Sequence, residues 1–488
     1  MRLINPNTQR LSHWETFLFA IVALVGSTAI GLATILLPNP IFALAIVIVP
    51  VGVWLIFDKP ELGLLFLFFM VYIRLSDVLV QAHRLPSIAK LFIPFMALAI
   101  LARWVLYKEQ PKDIKALWIL AAYALIGLTS ILYAAAPDRV IEALITFTKD
   151  GLIFLIIIVL LRNASTLHLV IWTLLAGAIF LGTISVYQQI TGSFANDFWG
   201  FGGANQMNIV GTSSDFRIGG PLLDPNAFGR YMLLAVPLAI DRFWNEEQPL
   251  LRALAAWAFT VSVLAILFTF SRGSFLALVI MLVFLFVRRR PSLKVVMITA
   301  VIALLLIPFV PDQYTERLFS LKNIVGEGNE SFETDYSLRG RVSENLSGWM
   351  MFTDHPFLGV GLNNFDYHYQ SYSRQLGLDP RREERAPHNL YLEYMSELGI
   401  VGITWLIALQ VIAFRGLWRA EKTFRQLDMT SHAGICVGLS AVLVGYLASG
   451  IFLHVSHPRF FWMLYGLIIA IPVVAKTELE AANTVADA

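Results

Sequence analysis

The stretch LRALAAWAFTVSVLAILFTFSRGSFLALVIMLVFLFVR, residues 251–288, decides the fold. Its first run, residues 251–270, contains one charged side chain, and its second, residues 273–288, contains none before Arg288. About 18 or more apolar residues are long enough to cross the hydrocarbon layer of a membrane as an α-helix. We therefore interpret the two runs as membrane-spanning helices joined by a turn of two residues, Ser271 and Arg272.

The same pattern extends over most of the chain. Of its 488 residues, 57% are hydrophobic and 14% are charged, whereas a soluble protein has about 25% charged residues. Apolar runs predict spans at 14–37, 39–57, 61–74, 86–106, 114–135, 141–161, 166–189, 221–241, 251–270, 273–288, 294–311, 399–415, 432–454 and 459–475. Two of these are weaker, because 61–74 is short and 141–161 contains Lys149 and Asp150, which we interpret as a local ion pair near the membrane surface and not as a proton relay. The predicted fold is all-α, a polytopic transmembrane bundle of about 12–14 spans with a large, partly helical extracytoplasmic loop.

Basic residues predict the orientation of the spans, because short cytoplasmic loops are enriched in Lys and Arg. The triplet Arg288–Arg290 and the cluster Arg415–Arg425 are the strongest signals. Placing both inside leaves the segment 312–398 outside. We therefore expect helices with short loops over 1–311, the extracytoplasmic loop over 312–398, and C-terminal helices with a cytoplasmic tail over 399–488.

Two segments are expected to lie on the outer side. The segment 312–398 contains eight basic and fourteen acidic residues, a net charge of −6 with neutral histidines, so only individual arginines would attract an anion there. A second segment, 190–220, is rich in Gly, Asn and Ser. We expect it to be a loop that packs against the first.

The stretch APHNLYLEYMSELGIVG, residues 386–402, places a His-Asn pair after a proline. Proline disfavours helix in the residue before it. His388 is therefore expected near a helix N-terminus, where free backbone N–H groups attract anions. A neutral imidazole there can take a proton from a hydroxyl group; the alternative is an interfacial histidine that caps the helix.

Four arginines are candidates for binding an anionic substrate. Arg272, in its short turn, either points into a cleft between helices or extends to the lipid headgroups. Arg217 is expected on the outer face, and Arg230 about two turns into the next span, where Asp224 or a substrate phosphate would be its counter-ion. Arg341 opens a helix of the outer loop.

No signature of a soluble enzyme is present. The sequence has no Cys/His spacing typical of zinc sites, no Gly-rich phosphate loop and no nucleophile elbow. No metal, no cofactor and no nucleic-acid partner is therefore expected.

Three local patterns resemble the O-antigen ligase and O-antigen polymerase superfamily of bacterial envelope enzymes. His388-Asn389, nine further residues and then Gly399-Ile400-Val401-Gly402 match its H-N-x9-G-x-x-G pattern. Arg272 to Leu276 matches its R-x-x-x-L pattern, and His355 to Phe365 is similar to a stretch of its large outer loop. The resemblance covers roughly residues 200–410, and the N-terminal half is similar in hydropathy alone.

The resemblance implies a glycosyltransferase that needs no metal. Its donor would be a glycan on undecaprenyl diphosphate. Its acceptor would be a hydroxyl of lipid A core, a protein or another glycan. The enzyme would lie in the bacterial inner membrane, in contact with membrane lipids, with the reaction on the outer side. By the same resemblance His388 is the catalytic residue. The diphosphate would be bound by Arg272, Arg217, Arg341 and Arg230, with Asn389, Asn226, Gly399 and Gly402 in support.

Three functions stay open at this point. A ligase transfers a finished glycan to a different acceptor, whereas a polymerase joins carrier-linked repeat units. A membrane transporter is the alternative from another class, and it would predict charged residues inside the N-terminal spans. We favour the ligase, because the His-Asn pattern matches that branch closely.

Overall fold

The computed structural model describes residues 52–108, 116–210, 213–289, 336–377, 384–455 and 457–486. The predicted spans 14–37 and 294–311, and most of 39–57, lie outside these residues. The chain divides into two compact units, residues 1–63 and 64–488. The described part of the first unit is helical at 52–58 and enters another helix at Pro60.

Helices make up nearly all of the described secondary structure. They are α1 (Pro60–Tyr72), α2 (Leu75–Gln81), α3 (Ile88–Tyr107), α4 (Leu117–Ser130), α5 (Pro137–Leu160), α6 (Ala164–Thr191), α7 (Pro225–Asn245), α8 (Pro249–Phe268), α9 (Arg272–Arg289), α10 (Tyr336–Asp354), α11 (Phe365–Leu376), α12 (Leu390–Gln426), α13 (Thr430–Ser449) and α14 (Pro458–Ala486). An antiparallel hairpin, β1 (Ala204–Val210) and β2 (Ser213–Ile218), joins α6 to α7.

The predicted all-α membrane fold is confirmed. Among the described residues, seven helices are long and apolar enough to cross a membrane, and α1 with α2 makes an eighth if this pair, bent by 54°, is one span. Every predicted span within the described residues coincides with a helix, although the total of 12–14 stays a prediction. In the bundle, α7 packs against α8 and α13, and α14 packs against α5 and α12.

Side-chain caps define where several helices begin. Asn163 starts α6 by accepting a hydrogen bond from the backbone N–H of Thr166 (2.7 Å). Asp224 starts α7 by accepting from Asn226 (2.9 Å), and Pro225 follows at the first helical position. These caps satisfy N–H groups that have no partner inside the helix, and they fix the α7 start beside the arginines described below.

The segment 190–220 differs from its prediction as a loop. It contains the β1–β2 hairpin, and β2 packs against α7 and α8. The ring of Phe216 on β2 stacks on Phe194 with centroids 4.5 Å apart. Pairing of the strands places Arg217 opposite Asn205 and so sets the direction of the strand that carries Arg217.

Lys149 and Asp150 are not paired with each other, so the predicted local ion pair is wrong. Asp150 is buried, and its Oδ1 lies 3.6 Å from Nε of Arg459 on α14. Lys149 is exposed. Adjacent residues of a helix point about 100° apart, which explains why the two side chains face different surroundings.

An ion network ties together one end of the bundle. Glu421 on α12 accepts from Arg288 (2.6 Å) and Arg425 (3.0 Å). Asp241 on α7 accepts from the fully buried Arg242 (2.6 Å) and from Arg289. The two basic clusters that predict the cytoplasmic side therefore lie at the same end of the helices.

Candidate active site

His388 lies two residues before α12, and its ring is held by a buried carboxylate. Nδ1 of His388 lies 2.7 Å from Oε2 of Glu344 on α10, whose side chain is 0% exposed. Nε of Arg385 lies 2.9 Å from the other oxygen, Oε1. A carboxylate paired with arginine accepts hydrogen bonds and donates none, so the proton of a neutral His388 ring is on Nδ1. The lone pair of Nε2 then remains for another proton.

The start of α12 is capped by Asn389. The first four backbone N–H groups of α12 all have acceptors. Those of Tyr391 and Leu392 donate to Oδ1 of Asn389 (3.0 and 3.2 Å). Leu390 donates to the carbonyl of Gly450 (2.7 Å), and Glu393 donates to the carbonyl of Asn389 (2.9 Å). The expectation that free N–H groups attract an anion here is therefore wrong. Capping by His388 is wrong as well, because Asn389 is the capping residue.

Two glycines let α12 cross the loop that follows α10. Gly399 interrupts α12 with φ +63°, and Gly359 in the loop has φ +69°. A Cβ atom on Gly399 would lie 2.4 Å from the backbone of Phe357, and one on Gly359 would lie 2.3 Å from the backbone of Glu397. Both positions therefore need glycine.

The crossing is held by backbone hydrogen bonds on each side of the break. Val360 donates to the carbonyl of Ser396 (2.9 Å), and Ile400 donates to that of Pro356 (2.8 Å). The third residue of the glycine pattern, Gly402, has no room for a Cβ atom, which would lie 2.2 Å from Cβ of Leu398. The glycines of the two outer-loop patterns thus act together, and they fix the helix segment that follows His388.

Arg217 belongs to a second group of polar side chains. Its Nε donates to the carbonyl of Thr269 (2.8 Å), and its Nη2 lies 3.4 Å from Oδ1 of Asn226. The same Oδ1 accepts from the hydroxyl of Ser271 (2.8 Å), directly before Arg272. The structure therefore brings together β2, the start of α7 and the α8–α9 turn. Arg217 is buried and Arg272 is half-buried.

Arg230 donates its hydrogen bonds to neutral groups and forms no direct ion pair with Asp224, the predicted counter-ion. Its guanidinium donates to the hydroxyl of Ser449 (2.9 Å) and to the carbonyls of Leu453 (2.7 Å) and His454 (2.6 Å). It also lies over the ring of Tyr446, 4.8 Å from the centroid. These contacts fasten α7 to the segment between α13 and α14.

That connecting segment, residues 450–457, contacts both polar groups. A Cβ atom on Gly273 would lie 2.7 Å from Cβ of Phe452, which puts the segment beside Arg272. The ring of His454 lies edge-on to His388 with centroids 5.8 Å apart. Burial, and then the neighbouring His388, Arg230 and His457, lower the pKa of His454 to about 3, so His454 adds no positive charge next to His388 near neutral pH.

Arg341 lies on α10 one turn before Glu344. Residues three apart share a helix face, so Arg341 and Glu344 point to the same side of α10.

Glu344 and His454 are the site residues that the sequence did not reveal. A signal was present for Glu344, since it follows the Arg339-Gly340-Arg341 stretch by three residues, and for His454, since it is the last residue of the predicted span 432–454.

One family model matches part of the chain. Residues 257–407 match the family model described as O-antigen ligase. Over these residues the chain is similar to the O-antigen ligase family. The match contains His388, Arg272, Arg341, Gly399 and Gly402, whereas Arg217, Asn226 and Arg230 lie before it. No significant match was found among curated proteins.

The family match bears on the open functions. It supports a glycan-processing membrane enzyme of the ligase and polymerase type. Within the described ranges, no group of three His, Cys, Asp or Glu side chains is arranged to hold a metal ion. That the reaction needs no metal stays a prediction.

Proposed function

We propose that the chain is a metal-independent glycosyltransferase that transfers a glycan from undecaprenyl diphosphate to an acceptor hydroxyl. The observation that carries the proposal is the pair formed by His388 and the buried Glu344, 2.7 Å apart. It provides a positioned general base inside the region that is similar to the O-antigen ligase family. A positioned base contributes about 10²–10⁴-fold to the rate of a reaction that removes a proton.

The reaction follows from the tautomer of His388. The acceptor O–H gives its proton to Nε2 while its oxygen bonds to the anomeric carbon of the donor sugar. The bond from that carbon to the diphosphate oxygen breaks, and undecaprenyl diphosphate leaves with the electron pair. Glu344 stabilises the imidazolium that forms, as a buried acid does behind other catalytic histidines.

Arginine charge holds the leaving group in this proposal. Arg217 reaches the α8–α9 turn that carries Arg272, and forked guanidinium groups suit phosphate oxygens. We place Arg341 at the edge of the same site, because it shares a helix face with Glu344. Arg230 is assigned a positioning role, because its donors are engaged by Ser449, Leu453 and His454.

We further propose that the enzyme lies in a bacterial inner membrane with His388 facing the periplasm. A carrier-linked glycan meets its acceptor on that side. We favour a ligase acting on lipid A core, a protein or another glycan, and a polymerase is the alternative.

Glycan analysis of a deletion strain tests the proposal. A ligase predicts that the acceptor loses its glycan while full-length glycan accumulates on the carrier. A polymerase predicts that single repeat units accumulate instead. An unchanged set of envelope glycans would contradict both.

A further inference from the structure

A cavity of about 300 Å³ opens beside the segment 450–457. Its lining contains three acidic residues, Glu142 on α5 and Glu393 and Glu397 on the first part of α12, together with the polar residues Thr146 and Asn363. Much of the remaining wall is aromatic and includes Tyr123 and Trp462. Ligand cavities are about 300–1,000 Å³, so this acidic cavity has room for a small group and not for a lipid chain.

Two of the three carboxylates can receive hydrogen bonds from a ligand. Both oxygens of Glu397 are engaged by the backbone N–H groups of Asn363 (2.8 Å) and Phe365 (3.3 Å). One oxygen of Glu393 accepts from Val455 (2.8 Å). The second oxygen of Glu393 and the exposed Glu142 have no hydrogen-bond partner among the residues described here.

The aromatic wall offers ring surface next to these acceptors. Tyr123 and Trp462 lie edge to face with centroids 5.6 Å apart, and Phe147 lies 5.2 Å from Trp462. A sugar ring has apolar C–H faces that suit aromatic side chains and hydroxyl groups that donate to carboxylates. A sugar acid or a phosphate would be repelled by the exposed carboxylate of Glu142.

The segment 450–457 contacts both Arg230 and the cavity. Leu453 and His454 turn their carbonyls to Arg230, whereas Val455 turns its N–H to Glu393. Glu393 follows His388 by five residues, a rise of about 8 Å along α12. A sugar beside Glu393 is therefore near the proposed base.

We propose that the acidic cavity binds an uncharged or amino sugar of the acceptor, and that it excludes uronic and phosphorylated sugars. The inference rests on the proposed function, because it takes His388 as the base that activates the acceptor. It narrows the acceptor to a glycan whose hydroxyl-bearing end has no negative charge.

Saccharide binding to the full-length protein in lipid nanodiscs tests the inference. Saturation-transfer NMR is run with methyl β-glucoside, methyl β-glucosaminide and methyl β-glucuronoside as probes. The wild type should bind the first two and not the glucuronoside. The double variant Glu142→Gln, Glu393→Gln should bind the glucosaminide about tenfold more weakly, which is the contribution of one hydrogen bond to a charged group. It should also bind the glucuronoside.

Glu480→Gln, an exposed carboxylate near the end of α14, is the matched control and should bind as the wild type does. Because Glu393 holds Val455, Glu142→Gln alone is the second variant if the double variant fails to fold. Equal binding of glucoside and glucuronoside by the wild type would overturn the inference. So would unchanged binding in folded variants, or no saccharide binding at all.

A failure of the proposed function gives a different result. His388→Ala should keep saccharide binding, because His388 is not part of the cavity lining. If that variant transfers glycan normally, the proposed function fails while the binding result stands. If it is inactive but the probes bind without regard to charge, the cavity inference alone fails.

Discussion

At the residue scale, His388, which lies just before α12, and Glu344 on α10 form one unit. Glu344 has no exposed surface and meets both His388 and Arg385. A buried carboxylate is costly unless it is paired, and this one is paired on each oxygen. Its position therefore fixes the orientation of the imidazole ring.

Glu344→Gln is expected to lower the transfer rate about 100-fold without changing the KM of either substrate. The amide keeps the shape but loses the charge that stabilises the imidazolium. Glu344→Asp should restore part of the rate, whereas a merely structural role would predict no such rescue. The control is Glu384→Gln, in the same outer loop as Glu344. It removes an exposed ion pair with Arg139 of α5 and should change the rate little. Equal rates for Glu344→Gln and wild type would exclude the positioning role.

Arg272→Lys is expected to weaken binding of undecaprenyl diphosphate about tenfold, because an ammonium group keeps the charge but not the forked geometry. Binding to the purified protein is measured directly, with Arg419→Lys as an exposed control on α12. Unchanged affinity in both Arg272→Lys and Arg272→Ala would mean that Arg272 does not hold the phosphate.

Sequence patterns predicted some of these side chains and not others. His388 and Arg272 stand out locally, one after a proline and one between two apolar runs. Glu344 acts across 44 positions of sequence, and periodicity carries no information about such a contact. The sequence places Arg230 about two turns into a span, which predicts an anionic partner. The carbonyl groups that accept its hydrogen bonds belong to Leu453 and His454, far away in the sequence.

At the element scale, the crossing of Gly359 and Gly399 sets the path of α12. The first part of α12, residues 390–398, carries Glu393 and Glu397, and the second continues into the bundle. The break was not predicted, although the predicted span 399–415 begins at Gly399, the residue where it occurs. The β1–β2 hairpin was missed because its strands, ANQMNIV and SSDFRI, lack regular alternation.

Gly399→Ala is expected to destabilise the fold by several kcal/mol more than Gly377→Ala. Gly377 is in the left-handed helical region (φ +63°, ψ 13°), which costs a residue with a Cβ atom about 1–2 kcal/mol, whereas Gly399 (φ +63°, ψ −154°) is in a region that is adopted almost only by glycine. Only Gly399 would also bring that atom to 2.4 Å from backbone, whereas nothing lies within 4 Å of it at Gly377. Thermal unfolding of the two purified variants compares them, and equal losses would show that the crossing is not tight.

At the scale of the whole molecule, the two ends of the helices have different chemistry. One end has the network of Asp241, Arg242 and Glu421, and the other has His388, Arg217 and the segment 450–457. Composition was sufficient to predict a helical membrane protein, because apolar runs of spanning length have few other stable structures. It was not sufficient to predict how residues 450–457 connect the polar groups.

The orientation of this bundle is a prediction with a direct test. A reporter enzyme active only in the cytoplasm should be silent when fused near residue 360 and active when fused after Arg290. The reason is the excess of basic residues in short cytoplasmic loops. The opposite pattern would put His388 on the cytoplasmic side, where the proposed reaction does not occur.

The central claim is that His388 removes the proton of the acceptor. The most direct measurement is single-turnover transfer of a labelled glycan by full-length His388→Ala in nanodiscs, using the acceptor identified from the deletion strain. The account predicts a rate about 10³-fold lower, with unchanged binding of the carrier-linked donor and an unchanged unfolding temperature. Transfer at the wild-type rate by the folded variant would contradict it.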